Sequence, residues 1–163
     1  MEYISKKYAS PIGMLTVIAD TTGICGLFTE TQRIPQYLTH ADGDSVILLR
    51  ACKWLDAYFS GERPDIELLS LRPKGTPFQN RVWQILCSIP YGQTMTYGQI
   101  AGILSKQTGK PMSAQAVGQA VGANPISIIV PCHRVIGSDG KLTGYAGGVV
   151  TKMKLLTHEG LRI

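Results

Sequence analysis

The chain has 163 residues, 44% of them apolar and 17% charged. That length holds one domain or two small ones with a buried core, and the composition excludes intrinsic disorder. Its net charge of +5 is uneven: residues 1–75 carry eight Lys/Arg against nine Asp/Glu, whereas residues 76–163 carry eight against two, Asp139 and Glu159. A basic C-terminal half beside a nearly neutral N-terminal half points to a polyanionic partner, nucleic acid first. Cysteines 25, 52, 87 and 132 form no C-x-x-C pair, which predicts reduced thiols in a cytoplasmic protein. The first residues, Met1 to Lys7, lack the apolar run of a signal peptide. Apolar stretches such as Ile126–Val130 are too short to cross a bilayer, so membrane insertion is not expected.

The first third reads as β structure, with runs at Glu2–Tyr8, Leu15–Ala19 and Ile24–Thr29 broken by turn residues at 10–13 and 21–23. A helix follows from Ser45 to Ser60, with Asp44 as its N-cap, a stripe of Leu48, Cys52, Leu55 and Phe59, and Gly61 beyond its end. Ile66–Leu71 reads as one more strand. Residues 72–77 form a junction, so the expected domains are 1–75 and 76–163.

Beyond the junction the pattern turns helical. Thr76 as N-cap and Pro77 at the first helical position open a helix with Phe78, Val82, Ile85, Leu86 and Ile89 on its apolar face. Pro90-Tyr91-Gly92 stops it. Further helices are expected from Thr96 to Leu104, from Ser113 to Val121, and from Val149 to His158, the last with Met153 and Leu156 inward and Gly160 at its stop. Short helices with tight turns in a basic region suggest a helix-turn-helix. Gly137-Ser138-Asp139-Gly140-Lys141 lacks the first glycine and the final hydroxyl residue of a phosphate loop, and reads as a hairpin turn instead.

The segment Asn124-Pro125-Ile126-Ser127-Ile128-Ile129-Val130-Pro131-Cys132-His133-Arg134-Val135 is the one that carries chemistry. Prolines bracket its apolar run and disfavour helix, so Cys132 is held on a rigid loop beside a histidine. Two readings stay open on these residues alone: a buried structural cysteine, or a thiol nucleophile with His133 as its base. Adjacent residues seldom ligate one ion and no second pair has ligand spacing, so no metal is expected. Cys25, Cys52 and Cys87 lie within predicted strand or helices and read as structural.

Pro131-Cys132-His133-Arg134-Val135 resembles the active-site signature of the O6-alkylguanine-DNA alkyltransferases. Phe78–Trp83, Ile89–Gly92, Thr96-Tyr97, Ala116-Val117-Gly118 with Asn124-Pro125, Gly144–Gly148 and Leu155–Gly160 match further family segments in order, so residues 76–163 are covered almost end to end. Residues 1–75 fit more loosely, through the Ser10–Gly13 turn. The resemblance implies a ribonuclease-H-like α/β N-terminal domain and a mostly helical C-terminal domain with a helix-turn-helix. It implies repair of duplex DNA without regard to sequence, by stoichiometric transfer of the alkyl group from O6-alkylguanine (and O4-alkylthymine) to Cys132. No cofactor is called for, and a monomer is expected.

Within that resemblance, His133 is the base acting through a water, and Glu159 orients it. Region 76–163 has only one other acid, Asp139, which sits in a turn. Tyr97 donates to the leaving guanine, Asn124 shapes the active-site loop, and Val135, Tyr145 and Ala146 line the pocket. Gln115 and Ala116 face DNA from the second helix of the pair, with Lys106, Lys110 and Arg134 as phosphate contacts. Position 115 is a departure, because the family has an arginine there that props open the base stack. The segment Ser105–Met112 also reads as a longer linker than the family's. The competing readings are a DNA-binding lesion-recognition module without chemistry, and a cysteine hydrolase.

Overall fold

The computed structural model describes every residue except Met1, Thr143, Ala146 and Ile163. It divides into two compact units. The first runs to Lys74 and also takes in Pro125–Ile129; the second holds Gly75–Asn124 and the chain from Val130 onward. By sequence, the segment 125–129 belongs to the C-terminal half. Its backbone instead pairs with the first unit, where Leu27 N donates to Pro125 O (2.9 Å) and Ser127 N to Leu27 O (3.1 Å).

In the first unit, strands β1 (Tyr3–Ser10), β2 (Gly13–Ala19), β3 (Ile24–Phe28) and β4 (His40–Asp42) form one sheet in the order β3-β2-β1-β4. The first three pair antiparallel, and β4 adds in parallel beside β1. Leu15, Val17, Ile18 and Ala19 are fully buried, as an interior strand covered on both faces requires. Segments at 70–72 and 125–127 hydrogen-bond along β3, so this edge is not left as a template for another strand. Ile128, a β-branched residue at φ 72°, makes the sharp turn within the added segment.

Helix α1 (Val46–Phe59) covers the sheet with Leu48, Ala51, Trp54, Leu55 and Tyr58. Its N-cap is Ser45, whose hydroxyl accepts from Leu48 N, and not Asp44. Asp44 pairs instead with Lys6 at 2.6 Å. The strand expected over Ile66–Leu71 is a single 3-10 turn, Ile66–Leu68, capped by Asp65. Only its end reaches the sheet, where Ser70 O accepts from Ile24 N and Leu71 bridges Ile24.

The second unit contains α2 (Pro77–Cys87), β5 (Met95–Thr96), α3 (Tyr97–Thr108), α4 (Ala114–Gly122), β6 (Val135–Ile136) and α5 (Val149–His158). Thr76 and Thr96 each close a reciprocal capping box, with Gln79 and Gln99, and Ser113 caps α4. Trp83 ties α2 to α4 by donating from Nε1 to Ala120 O at 2.8 Å. Its ring passes so near the backbone that a Cβ at Gly75 would lie 2.4 Å from it, so only glycine fits there.

Helix α3 runs past Leu104 to Thr108 and stops at Gly109, in the left-handed conformation. The first half of the expected linker, residues 105–108, is thus one further helical turn carrying Lys106. In α5 the inward residues are Lys152, Leu155 and Leu156, whereas Met153 is 43% exposed. The turn at Gly137–Lys141 closes through Gly137 N to Lys141 O (3.0 Å), with Gly140 at positive φ. Among the described residues no helix is long and apolar enough to cross a membrane.

Thr76→Ala removes the oxygen that accepts from Gln79 N and one half of the capping box. It should cost about 1 kcal/mol in urea unfolding; an unchanged midpoint would mean that the box adds nothing to α2.

Candidate active site

Pro131 ends the apolar run, and Cys132–Arg134 form a single 3-10 turn that leads into β6. The parallel pairing of β6 with β5 fixes this turn beside the start of α3: Met95 faces Val135 and Thr96 faces Ile136. Asn124, 5% exposed at the end of α4, donates to Val130 O at 2.9 Å and braces the loop from the other side.

Cys132 and His133 are neighbours on this tight turn. Both are buried, at 4% and 0% exposure. Burial pushes the Cys132 thiol up to about 11, although the Asn124 amide, the Lys152 charge and the backbone N–H groups of residues 132 and 133 all favour the thiolate. The resting sulfur is therefore a thiol.

His133 Nε2 donates to Glu159 Oε2 at 2.6 Å, which leaves Nδ1 with no hydrogen-bond partner among the described residues. Burial lowers the histidine below its ordinary value, with the charges of Arg134 and Lys152 adding to the effect, while Glu159 opposes it. The imidazole is thus neutral at neutral pH, with its proton on Nε2 and an open lone pair on Nδ1.

Glu159 follows α5 directly, as its C-cap. Burial alone would raise it, but His133 and Arg134 outweigh burial and hold the carboxyl far below the usual carboxylate range. Arg134 donates Nε to Oε1 (2.8 Å) and Nη2 to Oε2 (3.1 Å), and Gly92 N donates to Oε1 (3.0 Å). Arg134, expected at a DNA phosphate, is 9% exposed and already committed to this carboxylate. That corrects its assignment.

Two participants escaped the sequence reading. One is the Gly92 amide. The other is Lys152, 1% exposed, whose Nζ donates to Val135 O and which burial pulls down to about 8. A signal for Lys152 was present: with Leu155, Leu156 and Glu159 it lies at i, i+3, i+4 and i+7, on the inward stripe of α5.

Tyr97, the first residue of α3, is half-buried between α4 and the 144 loop. A Cβ at Gly118 would sit 3.7 Å from its ring, and one at Gly144 3.0 Å from its hydroxyl. Val135 and Tyr145 are buried, at 0% and 8% exposure; Ala146, expected with them in the pocket, lies outside the described residues. Gln115 is exposed on α4, with Ala116 partly covered beside it, and Lys106 and Lys110 are exposed at the end of α3. The structure gathers Asn124, Cys132, His133, Arg134, Lys152 and Glu159 into one site, and leaves Gln115, Lys106 and Lys110 on the surface. No group of three or more His, Cys, Asp or Glu among the described residues could hold a metal ion.

The chain matches two family descriptions end to end. Residues 4–73 match the ribonuclease-like domain of 6-O-methylguanine DNA methyltransferase, and residues 77–161 its DNA binding domain. A methylated-DNA–protein-cysteine methyltransferase of Mycobacterium bovis is 46% identical over 153 residues, covering 94% of this chain and 90% of that protein. One from Methanosarcina barkeri is 44% identical over 151 residues, covering 92% of each. Among solved structures, Mycobacterium tuberculosis OGT in complex with DNA superposes with a TM-score of 0.83 at 44% identity, covering 96% of this chain and 93% of that one.

Two buried groups make the fold sensitive to acid. Below the ordinary histidine value of 6.5, and again below the ordinary glutamate value of 4.5, the unfolded chain takes up a proton that folded His133 or Glu159 refuses. Stability should therefore fall as pH drops through both windows. Glu159→Gln leaves Arg134 buried without its counter-charge and should cost about 3 kcal/mol at neutral pH, while flattening the more acidic part of the slope. Urea unfolding of both proteins across this range is the measurement; an equal slope in both would detach Glu159 from the effect.

Proposed function

This chain belongs to the 6-O-methylguanine DNA methyltransferase family, and from that premise we propose that it repairs O6-alkylguanine in DNA by moving the alkyl group onto its own Cys132. The observation that carries the reading is the buried thiol followed directly by a histidine whose Nε2 is pinned by Glu159 and whose Nδ1 is open.

The attack is an in-line displacement at saturated carbon. The Cys132 sulfur forms the new C–S bond as the bond from that carbon to guanine O6 breaks, and the electron pair goes to the guanine. The thiol proton passes to His133 Nδ1 through a bridging water, and Tyr97 donates to the leaving guanine. A thiol held at about 11 needs that base at the moment of reaction. The product is a thioether, which offers water no activated bond, so each molecule acts once. Asn124 keeps the loop in shape, while Val135 and Tyr145 border the base.

A base stacked in a duplex cannot reach a buried sulfur, so it must be extruded. We assign the DNA face to α3 and α4. The small residues Ala116 and Gly118 let α4 approach the backbone, Gln115 enters the stack, and Lys106 and Lys110 meet phosphates. Because these contacts read no base edges, binding is independent of sequence. Action as a monomer in the cytoplasm, without a cofactor, completes the reading.

Incubation with duplex DNA holding O6-methylguanine should add one methyl group per molecule, on Cys132, and Cys132→Ser should add none while still binding DNA. Mass spectrometry finding methyl on Cys25, Cys52 or Cys87, or more than one turnover, would reject the assignment; binding without any adduct would favour a recognition module. Neutralising Lys106 and Lys110 together should flatten the salt dependence of binding to every duplex alike, and an unchanged slope would move the DNA face elsewhere. Glutamine is shorter than arginine and uncharged, so Gln115→Arg should raise the duplex rate severalfold relative to the rate with free O6-benzylguanine, which needs no flipping. A ratio that stays level or falls would remove position 115 from the flipping step.

A further inference from the structure

An ionised carboxylate offers about four acceptor positions, and all four on Glu159 are filled. Oε1 receives Arg134 Nε (2.8 Å) and Gly92 N (3.0 Å), and Oε2 receives His133 Nε2 (2.6 Å) and Arg134 Nη2 (3.1 Å). Arg134 is itself held at its far end. Nη1 donates to Ile89 O at 2.7 Å, and the guanidinium lies over the Tyr91 ring at 5.8 Å. The carboxylate is fully buried and the arginine side chain 10% exposed, so the fork-to-fork contact is screened little by water.

The charges decide what this does to the histidine. A buried glutamate paired with histidine alone would draw a second proton onto the imidazole, making an ion pair and filling Nδ1. Here the guanidinium already neutralises the carboxylate, and a further positive charge would be uncompensated. The other groups around His133 push the same way or are uncharged at rest. Lys152 on α5 is cationic, the thiols of Cys132 on the same turn and Cys87 at the end of α2 are both pushed up, and among the described residues no acid besides Glu159 acts on the imidazole.

We propose that Arg134 is a positioning residue for alkyl transfer: it clamps both oxygens of Glu159 against His133 Nε2 and so keeps His133 Nδ1 open as the proton acceptor for Cys132. The role rests on the reading of Cys132 as the alkyl acceptor, but the state of the histidine can be read without any substrate. Arg134 touches neither the sulfur nor the base. It acts through Glu159.

Carbon-13 labelling of the histidines separates a clamp from a merely structural arginine. The chain has three histidines, so His40 and His158 serve as internal references. In the wild type, His133 should remain neutral as pH is lowered to the ordinary histidine value of 6.5 and below it. In Arg134→Gln it should take up a proton at higher pH, with the references unmoved. Single-turnover transfer from O6-benzylguanine should then lose about tenfold more at pH near 6 than at pH near 8.5. Arg134→Lys keeps the charge but loses the fork, so His133 should titrate as in the wild type while the rate falls at every pH.

A wild-type His133 already protonated at neutral pH overturns the proposal, as does an unmoved His133 titration in folded Arg134→Gln. If Arg134→Gln does not fold, Arg134→Lys decides, and a wild-type rate in that variant denies the clamp. Should the titrations behave as stated while Cys132 gains no alkyl group, the clamp stands and the assignment of function fails.

Discussion

The structure turns on the cost of keeping one carboxylate out of water. Moving an isolated carboxylate into a protein interior costs several kcal/mol even after relaxation, and Glu159 also caps the C-terminal end of α5, where the helix dipole disfavours an anion. Everything placed around it answers that cost. The turn at 89–92 supplies a backbone amide and a carbonyl, the turn at 132–134 supplies His133 and Arg134, and β6 is held in register by β5. Removing any one donor leaves a charge partly unpaired, so these short elements hold one another in place. None is long enough to be stable alone.

The same economy sharpens the charge pattern of the second unit. Its formal excess of cations includes Arg134 and Lys152, both buried and both spent on internal acceptors. What remains outside is Arg81, Lys106, Lys110, Lys141, Lys154 and Arg162, all exposed, opposed by Asp139 alone because Glu159 is buried. The surface field is therefore as one-sided as the composition suggests, though carried by different residues. A count of Lys and Arg finds the polyanion-facing half, and burial says which of them can face it.

Signals confined to one stretch of chain were legible. Thr76, Thr96 and Ser113 cap helices where a hydroxyl precedes an apolar stripe, and α5 begins and ends where its sequence pattern does. The pairing of His133 with Glu159 could be reasoned because the second unit offers a buried histidine almost no other acid. Errors arose where two local signals compete or where the answer lies far along the chain. Asp44 and Ser45 are both good caps, and the choice went to the residue whose rival found Lys6. Ile66–Leu71 has strand composition, yet only its end meets a neighbour. Arg134 looks like a phosphate ligand in a basic segment because its partner is 25 residues away, at Glu159. Pro125–Ile129 joins the first unit through pairing that no local periodicity encodes.

Reactivity in this protein is therefore a matter of surroundings more than of any cysteine's resting acidity. Burial pushes Cys25, Cys87 and Cys132 to about 11 alike, and raises Cys52 as well, so acidity alone would not select a nucleophile. What sets Cys132 apart is the company it keeps: the Asn124 amide and the backbone N–H groups aimed at its sulfur, the Lys152 charge nearby, and a neutral histidine next in the chain. A protonated, buried thiol is a poor target for oxidants and stray electrophiles. Its proton can leave when the base is aligned and an acceptor carbon is in line. The fold thus keeps the sulfur protonated at rest, beside a histidine whose other nitrogen is held by the buried carboxylate of Glu159.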